Sequence, residues 1–299
     1  MLQPSKYPWY LCLAALLTAV SFLFPTASQA GLKLYKAKES EASFESGGKK
    51  IKVWQFTPKE GDGPFPGIIV LYGIDCLDEL PKTELMYKNV AGKIADSGYV
   101  VQLAHYFNCT PLDPKDATAL RKSFVDQVAH LKHKPFDANL EKPYRAWMAA
   151  VKDGVQFLRE QKNVDKDRVG IVGLSMGGFV GTSLVVDHPE LKIAAVVNAF
   201  GGLPPVQHDK VRKEKLKLPP TFIIGAEDDD LVPEWFQRDL FLLLRETGNR
   251  GEAHFYGDTG HAFLNKQGQP DMALALNEAL PAAIRYLNRH VKGPAVEKK

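Results

Sequence analysis

Cysteine is scarce in this chain of 299 residues: there are three, Cys12, Cys76 and Cys109. So few exclude a disulfide-stapled scaffold, and the two beyond the first thirty residues cannot form a zinc site by themselves. Charge of one sign is lacking too. Lys and Arg number 38 against 35 Asp and Glu, a net +3, and the cations are scattered rather than gathered into the basic stripe of a nucleic-acid binder. The one dense run, Lys210-Val-Arg-Lys-Glu-Lys-Leu-Lys217, contains a glutamate and reads as a solvated loop or helix face. Long apolar runs are missing after residue 30, so no later segment is expected to span a bilayer. Internal repeats and Gly/Ser/Pro-rich linkers are also absent, which points to one domain over residues 31–292 and a disordered tail over 293–299.

The first thirty residues have a different character. Lys6 precedes an apolar stretch from Trp9 to Phe24, interrupted only by Thr18 and Ser21, and Pro25 and Ser28-Gln29-Ala30 follow. A charged start, a short apolar middle and a small-residue exit are the pattern of a secretory signal peptide over residues 1–30. Cleavage after Ala30 is the expectation, with an uncleaved anchor as the alternative. The mature protein is then periplasmic or secreted, with no stable membrane insertion. An oxidising compartment would permit one disulfide between Cys76 and Cys109.

What is present is an alternation of strand-like and helix-like segments. Strands are expected at Lys50–Phe56, Phe65–Tyr72, Tyr99–Ala104, Arg168–Val172, Ile193–Asn198, Thr221–Gly225 and Glu252–Tyr256. Helices are expected at Thr83–Ser97, Tyr144–Gln161, from Gly178, at Glu234–Thr247 and at Ala273–His290. This order indicates an α/β fold, a mostly parallel sheet with helices on both faces. A polar, helix-rich insertion, Pro111–Lys142, stands where it would cover a site at the strand ends, and Gly201–Pro205 reads as a loop.

Gly173-Leu-Ser175-Met-Gly177 is the sharpest chemical signal. It places a serine between a strand and a helix, where a cramped turn lifts the hydroxyl above the sheet. A serine hydroxyl needs a base. His261, in the loop Tyr256-Gly-Asp-Thr-Gly260-His261-Ala-Phe263, lies late enough in the chain to follow nucleophile and acid in that order. The acid should come from the acidic loop after Ile223-Ile-Gly225, with Asp228 the first choice and Asp229 next. A calcium site is the competing use of such a loop, which supplies too few spaced ligands, and Asp230 suits a solvated surface. The oxyanion donors are expected to be the N–H groups of Met176 and Ile74, with Gly73 close behind Ile74. His105 and Tyr72 are candidate substrate contacts. No metal and no cofactor is required.

Taken together, Gly173–Gly178, Gly225–Asp228, Gly260-His-Ala-Phe263 and Gly98-Tyr-Val-Val-Gln-Leu-Ala104 resemble the dienelactone hydrolase family of α/β hydrolases, over most of residues 50–290. The resemblance implies the α/β-hydrolase fold and a Ser-His-Asp hydrolase acting on a small-molecule ester or lactone. Members acting on dienelactones use a cysteine nucleophile, where this chain has Ser175. The arginines that hold their substrate's carboxylate fall near Cys109 and Asn265, and the glutamate that activates their cysteine falls near Gly73. A serine carboxylesterase is therefore the expected activity. A peptidase, amidase or acyltransferase on the same triad, or an exported binding protein without turnover, are the alternatives.

Overall fold

The computed structural model describes residues 34–110, 114–130 and 136–293. The expected signal peptide over residues 1–30 and residues 294–299 of the expected tail lie outside them. Eight strands form one sheet: β1 (Lys38–Ser46), β2 (Lys49–Thr57), β3 (Phe65–Leu71), β4 (Val100–Ala104), β5 (Val164–Leu174), β6 (Val196–Ala199), β7 (Thr221–Ala226) and β8 (Gly251–Tyr256). Their order is β1-β2-β4-β3-β5-β6-β7-β8, with β1 and β2 antiparallel and every pairing from β4 to β8 parallel. Central β3 is buried on both faces, which accounts for its unbroken apolar sequence; Ile68, Ile69, Val70 and Leu71 have no exposed surface.

Helices cover the faces: α1 (Cys76–Asp96), α2 (Pro114–His130), α3 (Ala138–Arg159), α4 (Met176–Asp187), α5 (Pro205–Glu214), α6 (Glu234–Glu246) and α7 (Leu280–His290). Helix α4 is buried along its length from Met176 to Val186, so it is apolar all round. Helix α6 is amphipathic, with Phe236, Leu240, Leu243 and Leu244 turned inward. The larger apolar core surrounds the sheet centre, and a smaller one gathers Val186, Leu203, Val211, Ile223 and the α6 leucines.

Three elements differ from expectation. Strand β1 was not expected, because Lys38–Ser46 offers only Phe44 as a large apolar residue; pairing with β2 along nine residues holds it. Helix α5, for which no bounds were expected, takes in Lys210–Glu214 of the charged run and makes it the helix face that was one of its two readings. Its sequence is polar, yet Pro205 stands at its first turn, where a missing N–H costs nothing, and Gln207, His208 and Val211 pack inward. Helix α1 begins seven residues before its apolar periodicity suggests. Cys109 is a half-buried free thiol, pushed up to about 11 by burial; the side chain of Cys76 lies outside the described residues. Within the insertion, Phe124 of α2 meets Phe179 of α4 edge-on with ring centroids 5.5 Å apart.

Candidate active site

Ser175 occupies the turn between β5 and α4 at φ 52° and ψ −119°, a left-handed backbone held because its neighbours leave room. A side chain at Gly173 would bring its Cβ to 2.2 Å from the Gly177 carbonyl oxygen, and one at Gly177 to 2.3 Å from that of Leu71. Both positions therefore demand glycine. The Ser175 N–H donates to the Ala199 carbonyl at 2.7 Å, and its own carbonyl accepts from Gly178 N–H at 2.8 Å. Ser175 itself is half-exposed. Met176 opens α4, so its N–H has no acceptor within the helix.

His261 arrives on the loop after β8. Gly260 N–H donates to the Leu264 carbonyl at 2.7 Å and closes the turn, while Ala262 and Phe263 take left-handed φ of 54° and 62°. Phe200 packs against both the His261 ring, at 5.5 Å, and the Phe263 ring, at 4.7 Å. So held, His261 Nε2 lies 3.0 Å from Ser175 Oγ. Its Nδ1 lies 2.9 Å from Asp229 Oδ2. A proton on Nδ1, donated to that carboxylate, leaves Nε2 free to accept from the serine.

The acid that meets the histidine is Asp229 and not Asp228. Asp228 has an exposed side chain and holds the His261 loop through its backbone, donating its N–H to the Thr259 carbonyl at 3.1 Å. Asp229 is 5% exposed, and its second oxygen accepts the N–H groups of Leu231 and Val232 at 3.0 and 2.8 Å. Gln237 of α6 donates to Oδ2 at 3.0 Å. Three acids in a row cannot be told apart by composition; the turn after β7 points only the middle one inward. Burial disfavours a charged His261, but the charge and hydrogen bond of Asp229, with Asp75 and Asp230 adding to them, outweigh it and raise the imidazole above its usual range.

The loop after β3 forms the other wall. A Cβ on Gly73 would stand 3.2 Å from Ser175 Cβ, so this backbone runs directly against the serine. Gly73 N–H already donates to the Tyr87 hydroxyl at 3.0 Å, which leaves the N–H of Ile74 as the more available donor. Tyr72 and His105, the candidate substrate contacts, are both buried. Tyr72 is 1% and His105 3% exposed. Tyr72 is stacked on Tyr106 at 5.0 Å and faces the His105 edge at 6.0 Å. Burial and the charges of Lys52 and Lys88 lower His105 to about 4, so it packs as a neutral ring. Three side chains gave no sequence signal: Asp75, Tyr87 of α1 and Arg121 of α2, all attached to this loop. Among the described residues, no cluster of His, Cys, Asp or Glu could hold a metal ion.

With the strand order and this convergence in view, comparison with known proteins places the molecule. The model of the dienelactone hydrolase family matches residues 51–291. The chain belongs to that family. Among curated relatives, "Protein usf" of Aquifex pyrophilus is 28% identical over 225 residues, covering 75% of this chain and 86% of the relative. "Putative carboxymethylenebutenolidase" of Aquifex aeolicus is 26% identical over 254 residues, covering 83% and 97%. A hyperthermophilic esterase from the archaeon Pyrobaculum calidifontis superposes with a TM-score of 0.62 at 15% identity, covering 96% of this chain and 93% of the esterase. At that identity the likeness shows a shared α/β-hydrolase fold.

Proposed function

We propose that this member of the dienelactone hydrolase family is an exported serine carboxylesterase that cleaves a small-molecule ester or lactone through an acyl-enzyme. One observation carries the reading: an unbroken hydrogen-bonded path from Ser175 Oγ through both nitrogens of His261 to the buried carboxylate of Asp229. Such a path does nothing for packing that an apolar contact could not do better, and it is the arrangement that turns a neutral hydroxyl into a nucleophile.

In the proposed sequence, Ser175 Oγ attacks the ester carbonyl as its proton passes to His261 Nε2. Asp229 holds the ring in the required tautomer and stabilises the imidazolium. The tetrahedral oxyanion is met by the N–H groups of Met176 and Ile74. His261 then gives the proton to the departing alkoxide, leaving an acyl-Ser175. Water repeats the cycle: His261 takes its proton, hydroxide oxygen bonds to the acyl carbon, and the proton returns to Ser175 as the acid leaves. The leader pattern of residues 1–30 supports export.

Turnover of nitrophenyl esters of graded acyl length by the mature protein tests activity and pocket size together. Ser175→Ala is expected to abolish hydrolysis while leaving the circular dichroism spectrum unchanged. Wild-type turnover by that variant overturns the reading.

A further inference from the structure

The loop after β3 is tied down at several of its polar groups. The Tyr72 carbonyl accepts the Tyr106 hydroxyl at 2.7 Å. Gly73 N–H donates to the Tyr87 hydroxyl at 3.0 Å, and that hydroxyl donates its own proton to Asp75 Oδ1 at 3.1 Å. The Asp75 carbonyl accepts Arg121 Nη2 from α2 at 3.4 Å, and the Asp75 N–H leans on its own carboxylate. The tether reaches the nucleophile itself. The point where a Gly73 Cβ would stand is 2.6 Å from Asp75 Oδ1 and 3.2 Å from both Ser175 Cβ and the Tyr87 hydroxyl. An acidic side chain thus fills the space that a residue at position 73 would otherwise occupy beside the serine. The buried phenol and carboxyl satisfy each other and the Gly73 N–H, so the cluster fixes the backbone beside Ser175.

We propose that Tyr87 and Asp75 are positioning residues for the reaction at Ser175: by engaging the Gly73 N–H and bracing the turn, they aim the Ile74 N–H at the place where the oxyanion forms. The proposal rests on the esterase reading and deepens it. Tyr87 works as a two-way clip, accepting from the loop's backbone with its oxygen and donating to the loop's side chain with its hydrogen. Arg121 adds a link to the insertion, so movement of α2 is passed to the same turn. Asp75 has an electrostatic effect as well. Burial pushes its carboxyl above the usual carboxylate range, against the Tyr87 hydrogen bond and the charges of His261 and Arg121; once ionised it faces His261 from the β3 loop, as Asp229 and Asp230 do from the β7 loop.

The test compares wild type with Ser175→Ala, Tyr87→Phe, Asp75→Asn and Asp75→Leu, reading kcat and KM for a nitrophenyl ester and the rate of inactivation by a fluorophosphonate. The phosphonyl oxygen occupies the oxyanion site, so a misaimed donor slows both processes together. Removing an oxyanion donor outright costs about 10²–10³ in kcat; misaiming one should cost less, about tenfold or more for Tyr87→Phe, with KM within about twofold and phosphonylation slowed in proportion. Asp75→Leu should match it. Asp75→Asn keeps an acceptor for the Tyr87 hydroxyl and should recover much of the loss. Thermal melts check that the variants fold. Tyr87→Phe and Asp75→Leu proteins that melt like wild type and keep its kcat and phosphonylation rate overturn the proposal. An active wild type with inert Ser175→Ala leaves the esterase reading standing in that event; an inert wild type brings down the esterase reading instead.

Discussion

Asp229 and His261, 32 positions apart in sequence, meet at 2.9 Å through Oδ2 and Nδ1, while the adjacent Asp228 carries an exposed side chain. Two neighbouring aspartates should therefore behave oppositely. Asp229→Asn leaves a partner of the same shape but cannot hold the imidazole in the productive tautomer. Its kcat should fall by about 10³–10⁴, the scale seen when a triad acid is amidated. Asp228→Asn should stay within about threefold of wild type. Steady-state kinetics of the pair decides between them, and equal losses would contradict the assignment.

The pH profile follows from the raised imidazole of His261. The base must be neutral to accept the serine proton, so kcat/KM should be low in acid and climb as pH rises through the His261 value, which lies above the usual 6.5. The stability effect has the opposite sense. A histidine that folding makes easier to protonate adds stability in full below its unfolded value and loses it as pH rises through the folded one. Activity and this share of stability should thus exchange across the same window, measured by a kinetic profile and by melts over pH.

The serine turn tolerates no added methyl. Gly177→Ala would force a Cβ to 2.3 Å from the Leu71 carbonyl at the centre of the sheet. Overpacking of this kind costs about 1–3 kcal/mol or more, which for a domain of this size lowers Tm by several degrees at roughly 2–4 °C per kcal/mol. A differential scan checks it; an unchanged Tm would mean that the turn is looser than its contacts indicate.

The proposed signal peptide gives a prediction independent of the site. Expressed in a host with a secretory pathway, the full chain should leave the cytoplasm and begin at Gly31 after cleavage behind Ala30. N-terminal mass spectrometry of the exported fraction reads this directly, and a retained Met1 there would indicate an anchor.

Much of this was legible in the chain because its signals are local. The apolar run of β3, the Gly-x-Ser-x-Gly turn and the Gly-His-Ala-Phe loop each carry their meaning within a few residues. What escaped was settled by distant contacts. Helix α5 has too polar a sequence to announce itself, and β1 depends on its partner strand. Asp229 differs from Asp228 only in the direction the turn points it. Tyr72 and His105 sit at strand ends, where a site would form, and their packing in an aromatic cluster with Tyr106 and Phe107 was not legible in the sequence. Tyr87, in the middle of a helix, gains significance only once the fold brings Gly73 to it, and no spacing in the sequence encodes that meeting.

The most direct test is covalent. Exposed to a fluorophosphonate, the mature protein should take up one equivalent, lose ester turnover in step with labelling, and yield a single modified peptide containing Ser175. Absence of label at Ser175, or turnover that survives complete labelling, would contradict the account.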